Sequence, residues 1–171
     1  MQMSEVDKKL VLTIKREPDW VVLLFTGMWL LVWLGITGTI IFGLVTDPDM
    51  FCAEIMLFMT IFFLGGLFFL KIFLWHLRGK EIITIDDKEL RIDKVGTILS
   101  FPSIYEIDQI DYISNTEKPM TPKWIKFWGL GGGQIEFVFF GQTKYFGQTL
   151  SVSEATKVIE QIKVKMKTTT R

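Results

Sequence analysis

The chain has 171 residues, 49% hydrophobic and 14% aromatic, with 19 basic and 19 acidic side chains and a formal net charge of zero. That balance gives no overall attraction to nucleic acid or anionic lipid, so a nucleic-acid partner is not expected. One cysteine excludes an internal disulfide, and one histidine excludes a His-based acid–base pair or a multi-histidine metal site.

Residues 1–19 are polar except for Lys9-Leu10-Val11-Leu12-Thr13-Ile14-Lys15. Residues 10–15 alternate with the period of a strand. The segment is either a frayed tail or a strand that joins the later sheet, which would bring both termini to one side. Mixed charge and a very long following apolar run mark residues 1–19 as no cleavable signal peptide, and the first helix is expected to act as an uncleaved anchor. Pro18 suits a break before that helix.

Residues 20–45 contain no charged side chain, and residues 51–77 carry only Glu54, Lys71 and His76 as charged or titratable positions apart from Cys52. About 20 helical residues cross a hydrocarbon core of ~30 Å, so each run is long enough to span with some tilt. The connection at 46–50, Thr-Asp-Pro-Asp-Met, makes the two helices antiparallel neighbours. Lys8, Lys9, Lys15 and Arg16 precede the pair and Arg78 and Lys80 follow it, whereas the connection has no basic residue. The positive-inside rule then puts both termini in the cytoplasm. Trp20, Trp75 and His76 are expected at that boundary, with Lys71 snorkelling toward it.

Small residues are the expected contact points between helices in lipid, where no hydrophobic force drives association. They are Gly27, Gly35, Gly38 and Gly43 in the first span and Gly65 and Gly66 in the second. Whether they serve this hairpin or a partner's helix is open. Glu54 reads as a solvated interfacial carboxylate or as a contact with a partner subunit or cation.

From residue 78 onward the pattern changes to short alternating runs. Strands are expected at 81–86, 90–95, 98–101, 105–113, 123–128, 134–140 and 145–150, separated by turn residues. Ser151-Val152-Ser153-Glu154 has the spacing of a capping box. Ala155, Val158, Ile159, Ile162 and Met166 follow at helical spacing, so an amphipathic helix is predicted over 151–167. The fold class expected is a membrane α-helical hairpin plus an α+β domain, an antiparallel β-barrel or sandwich closed by one C-terminal helix.

That order of elements resembles a pleckstrin-homology-like (PH-like) domain. Placed behind a two-helix hairpin, it is similar to the bacterial membrane-anchored proteins of that fold. The residues that carry the likeness are Glu81–Leu90, Tyr105–Ile110, Gly133–Phe137, Tyr145–Gly147, Leu150-Ser151 and Glu154-Ala155. The layout alone is also similar to that of a photosystem assembly factor of thylakoid membranes. The resemblance implies a small integral protein of the bacterial inner membrane, with scaffolding or assembly roles and no general catalytic role. Its implied partners are membrane lipids and other integral membrane proteins. Fold motifs of this kind are shared by unrelated activities.

Catalytic, cofactor and metal residues are not found in the sequence, and no small-molecule substrate is evident. Cys52 has no histidine beside it. Gly129-Leu130-Gly131-Gly132-Gly133 lacks the helix and Lys-Ser/Thr pair of a phosphate loop, and reads as a hairpin turn. Glu106, Asp108 and Asp111 suit an exposed strand face. The segment 118–128 is the one aromatic and basic stretch; if extended, it puts Trp124, Lys126 and Trp128 on one face. Indole and ammonium groups together suit the headgroup layer or an acidic partner, or the tryptophans cover the domain's own core. Three lysines there are too few for specific phosphoinositide recognition. The expected function is a non-catalytic accessory or assembly subunit. The alternatives are a free lipid-sensing anchor and a small homo-oligomeric channel, the last poorly served by Thr26, Thr37, Thr39, Thr60 and Glu54 as its only polar groups within the spans.

Overall fold

A computed structural model describes residues 2–6, 9–47, 53–116, 128 and 132–169. The order of elements is β1 (Gln2–Val6), β2 (Lys9–Lys15), α1 (Trp20–Thr46), α2 (Ala53–Arg78), β3 (Lys80–Ile85), β4 (Glu89–Val95) and β5 (Ser103–Glu106). A 3-10 turn at Ile107–Gln109 leads into β6 (Ile110–Asn115), followed by β7 (Ile135–Phe139), β8 (Gln142–Phe146) and the closing helix α3 (Val152–Thr169). The strands form two antiparallel sheets, β1-β2-β3-β4-β5 and β6-β7-β8. No strand pairing joins these two sheets among the described residues, so the α+β domain is not a closed barrel.

The N-terminal alternation resolves as a strand. β2 pairs antiparallel with β3, from Leu10 opposite Ile85 to Lys15 opposite Lys80. Topologically, α1 and α2 are therefore the connection of one β-hairpin, inserted between two neighbouring strands. The Arg16 N–H donates to the Gly79 carbonyl at 3.1 Å, carrying the pairing up to the start of the helices.

α1 begins just after Pro18, where a break is expected, and Asp19, which the sequence reading did not single out, is its cap. The Asp19 carboxylate accepts the backbone N–H groups of Val21 and Val22 at 3.1 and 3.3 Å, satisfying donors that have no helical partner. Both helices are long and apolar enough to cross a membrane, and only 6% and 11% of their most apolar windows are buried within the protein. Their apolar surface is thus turned outward and contributes little to the protein's own core. The contacts that join them are aromatic: Trp29 with Phe69 at 5.2 Å and Trp33 with Phe63 at 5.9 Å between ring centroids. The hydroxyls of Thr26, Thr39 and Thr60 donate to carbonyls four residues earlier, those of Val22, Gly35 and Met56, so each is satisfied within its own helix.

The domain core lies between the inner faces of the sheets and α3. Leu12, Ile14, Ile83, Ile85, Leu90, Ile92, Ile135, Phe137 and Phe146 meet Ala155, Val158, Ile159 and Ile162 there. Tyr105 lies edge-on to Phe137 and Phe139 at 4.9 and 5.1 Å, tying β5 of one sheet to β7 of the other. The capping box forms as spaced: the Ser151 hydroxyl accepts the Glu154 N–H at 3.3 Å, and the Glu154 carboxylate accepts the Ser151 N–H at 2.9 Å.

Three strand expectations differ: the last strand, expected at 145–150, is β8 at Gln142–Phe146, because the tight turn is made by Phe140 and Gly141 at positive φ (48° and 72°). Residues 98–101 are a bend and not a strand, because Leu99 adopts a left-handed backbone (φ 51°) that ends any ladder. The run 105–113 is two strands in different sheets, with the 3-10 turn carrying the chain across. The expected strand at 123–128 falls, apart from Trp128, outside the described residues.

The β3–β4 turn is held by Asp86, which accepts the N–H groups of Lys88 and Glu89 at 2.9 Å each. Lys9 lies 3.3 Å from the same carboxylate. The Lys88 N–H bond leads in holding the Asp86 carboxyl below its ordinary value, opposed by desolvation and aided by Glu89 and Lys9. A depressed folded pKa contributes stability above the unfolded value, about 3.9, and that contribution disappears as pH falls through the lower folded value. Asp86→Asn is therefore expected to cost stability at neutral pH and to flatten the acid limb below about pH 4, read by melting temperature against pH. An unchanged acid limb would show that the turn carries no such linkage.

Candidate functional site at the helix–domain seam

The chemistry of this protein gathers where α1 and α2 meet the sheet. Along β3 the inward positions are Glu81, Ile83 and Ile85, so period-two alternation turns one carboxylate toward the core. Glu81 is only 3% exposed. It accepts the N–H groups of Gly147 and Gln148 at 2.9 and 3.4 Å, joining β3 to the loop between β8 and α3. Gly147 has φ +73°, a conformation that aims its N–H inward and disfavours a side chain. Lys94 of β4 stands 3.9 Å from the other carboxylate oxygen.

Arg16 lies directly before α1 and reaches across the same seam. Its guanidinium donates to His76 Nε2 at 2.8 Å and to the Gln148 side-chain oxygen at 3.2 Å. Arginine has no acceptor, so Nε2 must accept; Nδ1 then carries the proton and donates to the Ile72 carbonyl at 2.9 Å. His76 is fully buried and neutral in this tautomer, and not at a headgroup surface as the sequence suggested. Trp75 is buried as well, with Arg16 and Lys94 near its ring at 6.0 and 5.7 Å from the centroid. Burial pulls the Arg16 guanidinium below its ordinary value, and Asp19 and Glu81 push it back up. A cavity of about 330 Å³ beside Arg16 is lined also by Glu17, Asp19 and Glu154, so its charges are mixed.

On the other side of Trp75, the β4–β5 connection folds back onto α2. The Lys71 ammonium donates to the Leu99 carbonyl at 3.1 Å, and the Thr97 hydroxyl donates to the Lys71 carbonyl at 3.0 Å. Lys71 thus secures this loop where the sequence suggested simple snorkelling. Between them lies a groove of about 350 Å³ lined by Lys71, Trp75, Lys94, Ser100, Ser103 and Trp128, among others. Its rim carries Leu99 and Phe101, the latter 81% exposed.

The glycines divide into two sets. Gly66 faces Trp33 so closely that any side chain would overlap the indole, and Gly27 leaves 3.4 Å between an added methyl and the Phe73 ring. Around Gly35, Gly38 and Gly65 nothing lies within 4 Å, so they face away from this hairpin. Gly43 is half-buried near the end of α1, its carbonyl accepting the Asp47 N–H at 2.8 Å. Glu54 is exposed in the first turn of α2. Trp128 packs edge-on against Phe25 of α1 and Phe69 of α2 at 5.8 and 6.2 Å; Trp124 and Lys126 lie outside the described residues.

Sequence reasoning did not single out Arg16, Glu81, Lys94 or Gln148. One signal was present for Glu81: a carboxylate in phase with Ile83 and Ile85 on an inward strand face. For Arg16 and Gln148, 132 positions apart, there was none. Compared with family models, with curated proteins and with solved structures, the chain matches none.

Proposed function

We propose that this chain is a non-catalytic, membrane-anchored PH-like interaction module, an accessory or assembly subunit of a larger membrane complex. The two apolar helices cross the bilayer, and the positive flanks leave both termini and the β-domain in the cytoplasm of a bacterial inner membrane. One observation carries the reading: α1 and α2 are inserted between paired strands β2 and β3. A domain joined through both ends of its anchor is held at a set angle and height. A flexible linker would allow it to search; an inserted hairpin presents one face repeatedly to one neighbour. The open glycines Gly35, Gly38 and Gly65 supply close-approach positions on the outward helix faces for such a neighbour.

Extraction in mild detergent followed by mass measurement tests this. The expected result is a hetero-complex larger than the chain, reduced by Gly35→Leu with Gly65→Leu while the β-domain stays folded. A free monomer, or a symmetric homo-oligomer conducting ions, would overturn it.

A further inference from the structure

We infer that the groove between α2 and the β4–β5 connection binds the phosphodiester headgroup of an anionic phospholipid. This rests on the membrane-spanning part of the proposed function and not on a partner complex. Lys71 and Lys94 both line the groove, with Ser100 and Ser103, and among the described residues no carboxylate does. Glu81 approaches Lys94 at 3.9 Å, yet it is not among the lining residues and its other oxygen is committed to Gly147 and Gln148. One carboxylate against two ammoniums leaves the groove with unbalanced positive charge. Lys71 uses one donor on Leu99, and an ammonium has two more.

A second, independent feature is the Trp75 indole. Trp75 forms part of the wall, is more than nine-tenths buried, and its Nε1–H has no acceptor among the described residues. A buried N–H without an acceptor is costly; this nitrogen is itself covered, so a phosphate oxygen meets it only when the ring turns toward the groove. The neighbouring cavity at Arg16 lacks both features, since Glu17, Asp19 and Glu154 balance it.

The surroundings favour a lipid over a soluble phosphate ester. The groove opens beside exposed Leu99 and Phe101 and against Lys71 and Trp75 of an outward-facing apolar helix. Acyl chains gain from that rim by leaving water; a free phosphate gains nothing from it. The volume of about 350 Å³ suits a headgroup, while the chains stay in the leaflet.

The test is native mass spectrometry of the full chain released from a neutral detergent, titrated separately with phosphatidylglycerol and phosphatidylcholine. The wild type is expected to retain phosphatidylglycerol about twenty-five-fold more strongly, each of the two ammoniums near an anionic headgroup contributing roughly fivefold. Lys71→Gln with Lys94→Gln removes the preference, and Lys80→Gln, outside the groove, keeps it. If the double variant unfolds, Lys71→Gln alone is expected to cost about fivefold and Lys71→Arg to restore it. Equal retention of the two lipids, or a preference untouched by the lysine variants, would overturn the inference. Displacement by glycerol 3-phosphate at equal concentration would overturn the lipid as occupant. A chain that selects phosphatidylglycerol yet leaves the membrane in mild detergent as a free monomer would sink the accessory-subunit reading and leave this one standing.

Discussion

Glu81→Ala is expected to destabilise the folded domain by about 2–4 kcal/mol, while Glu81→Gln costs about 1 kcal/mol. The alanine leaves the Gly147 N–H, a buried donor, without its 2.9 Å acceptor and weakens the hold on Gln148. An unmet buried donor costs about 1–3 kcal/mol, and Lys94 and Arg16 lose their nearby negative charge as well. Glutamine keeps an oxygen at the same reach, so the two variants separate loss of the acceptor from loss of the charge. Because Gln148 also receives Arg16, the seam is expected to open in Glu81→Ala and to expose Arg16 to trypsin. Thermal unfolding in mild detergent, followed by near-ultraviolet circular dichroism with limited trypsin digestion, reads both effects. Equal melting of the two variants would mean that the carboxylate's hydrogen bonds do not hold the seam.

The second large effect belongs to Gly66. Gly66→Leu is expected to cost the hairpin about 3 kcal/mol, the sum of overpacking and one lost hydrogen bond. The Trp33 indole occupies the space a side chain would need, and its Nε1–H donates to the Phe62 carbonyl at 3.0 Å. Displacing the ring breaks that bond and parts the helices. Gly35→Leu and Gly65→Leu meet nothing within 4 Å, so the isolated hairpin should tolerate them. Trp33→Ala combined with Gly66→Leu should recover part of the loss, since the two changes share one space. Melting of the four proteins in one detergent checks this. Gly66→Leu as stable as Gly65→Leu would show that the close approach at Trp33 is not what joins the spans.

Much of the architecture is local in origin and could be read in advance. Residues 20–45 have no charge to place in water, and Pro18 marks a break just before them. Ser151 and Glu154 find each other because they are three positions apart in a helix start. The misreadings are equally specific. Ile98, Leu99 and Phe101 have strand-like composition, but the 3.1 Å bond from Lys71 to the Leu99 carbonyl draws that stretch onto α2. His76 next to Trp75 looked like an interfacial residue until Arg16, sixty positions earlier, was found bonded to it. The glycines could be recognised as close-approach positions, yet the division between Gly66 and its neighbour Gly65 depends on which way α2 is turned toward Trp33.

Composition and period alone decided that two apolar helices precede an α+β domain, because charge density and alternation act within a few residues of chain. Only the tertiary structure decided that Arg16 meets His76 and Gln148, that Glu81 receives the amides of a distant loop, and that Lys71 and Lys94 share a groove. Those meetings follow from register between β2 and β3 and from the return of β8 and α3 onto them. Register is a long-range choice: a one-residue slip would turn Glu81 outward and Ile82 inward, and no local pattern records which register gives the lower free energy.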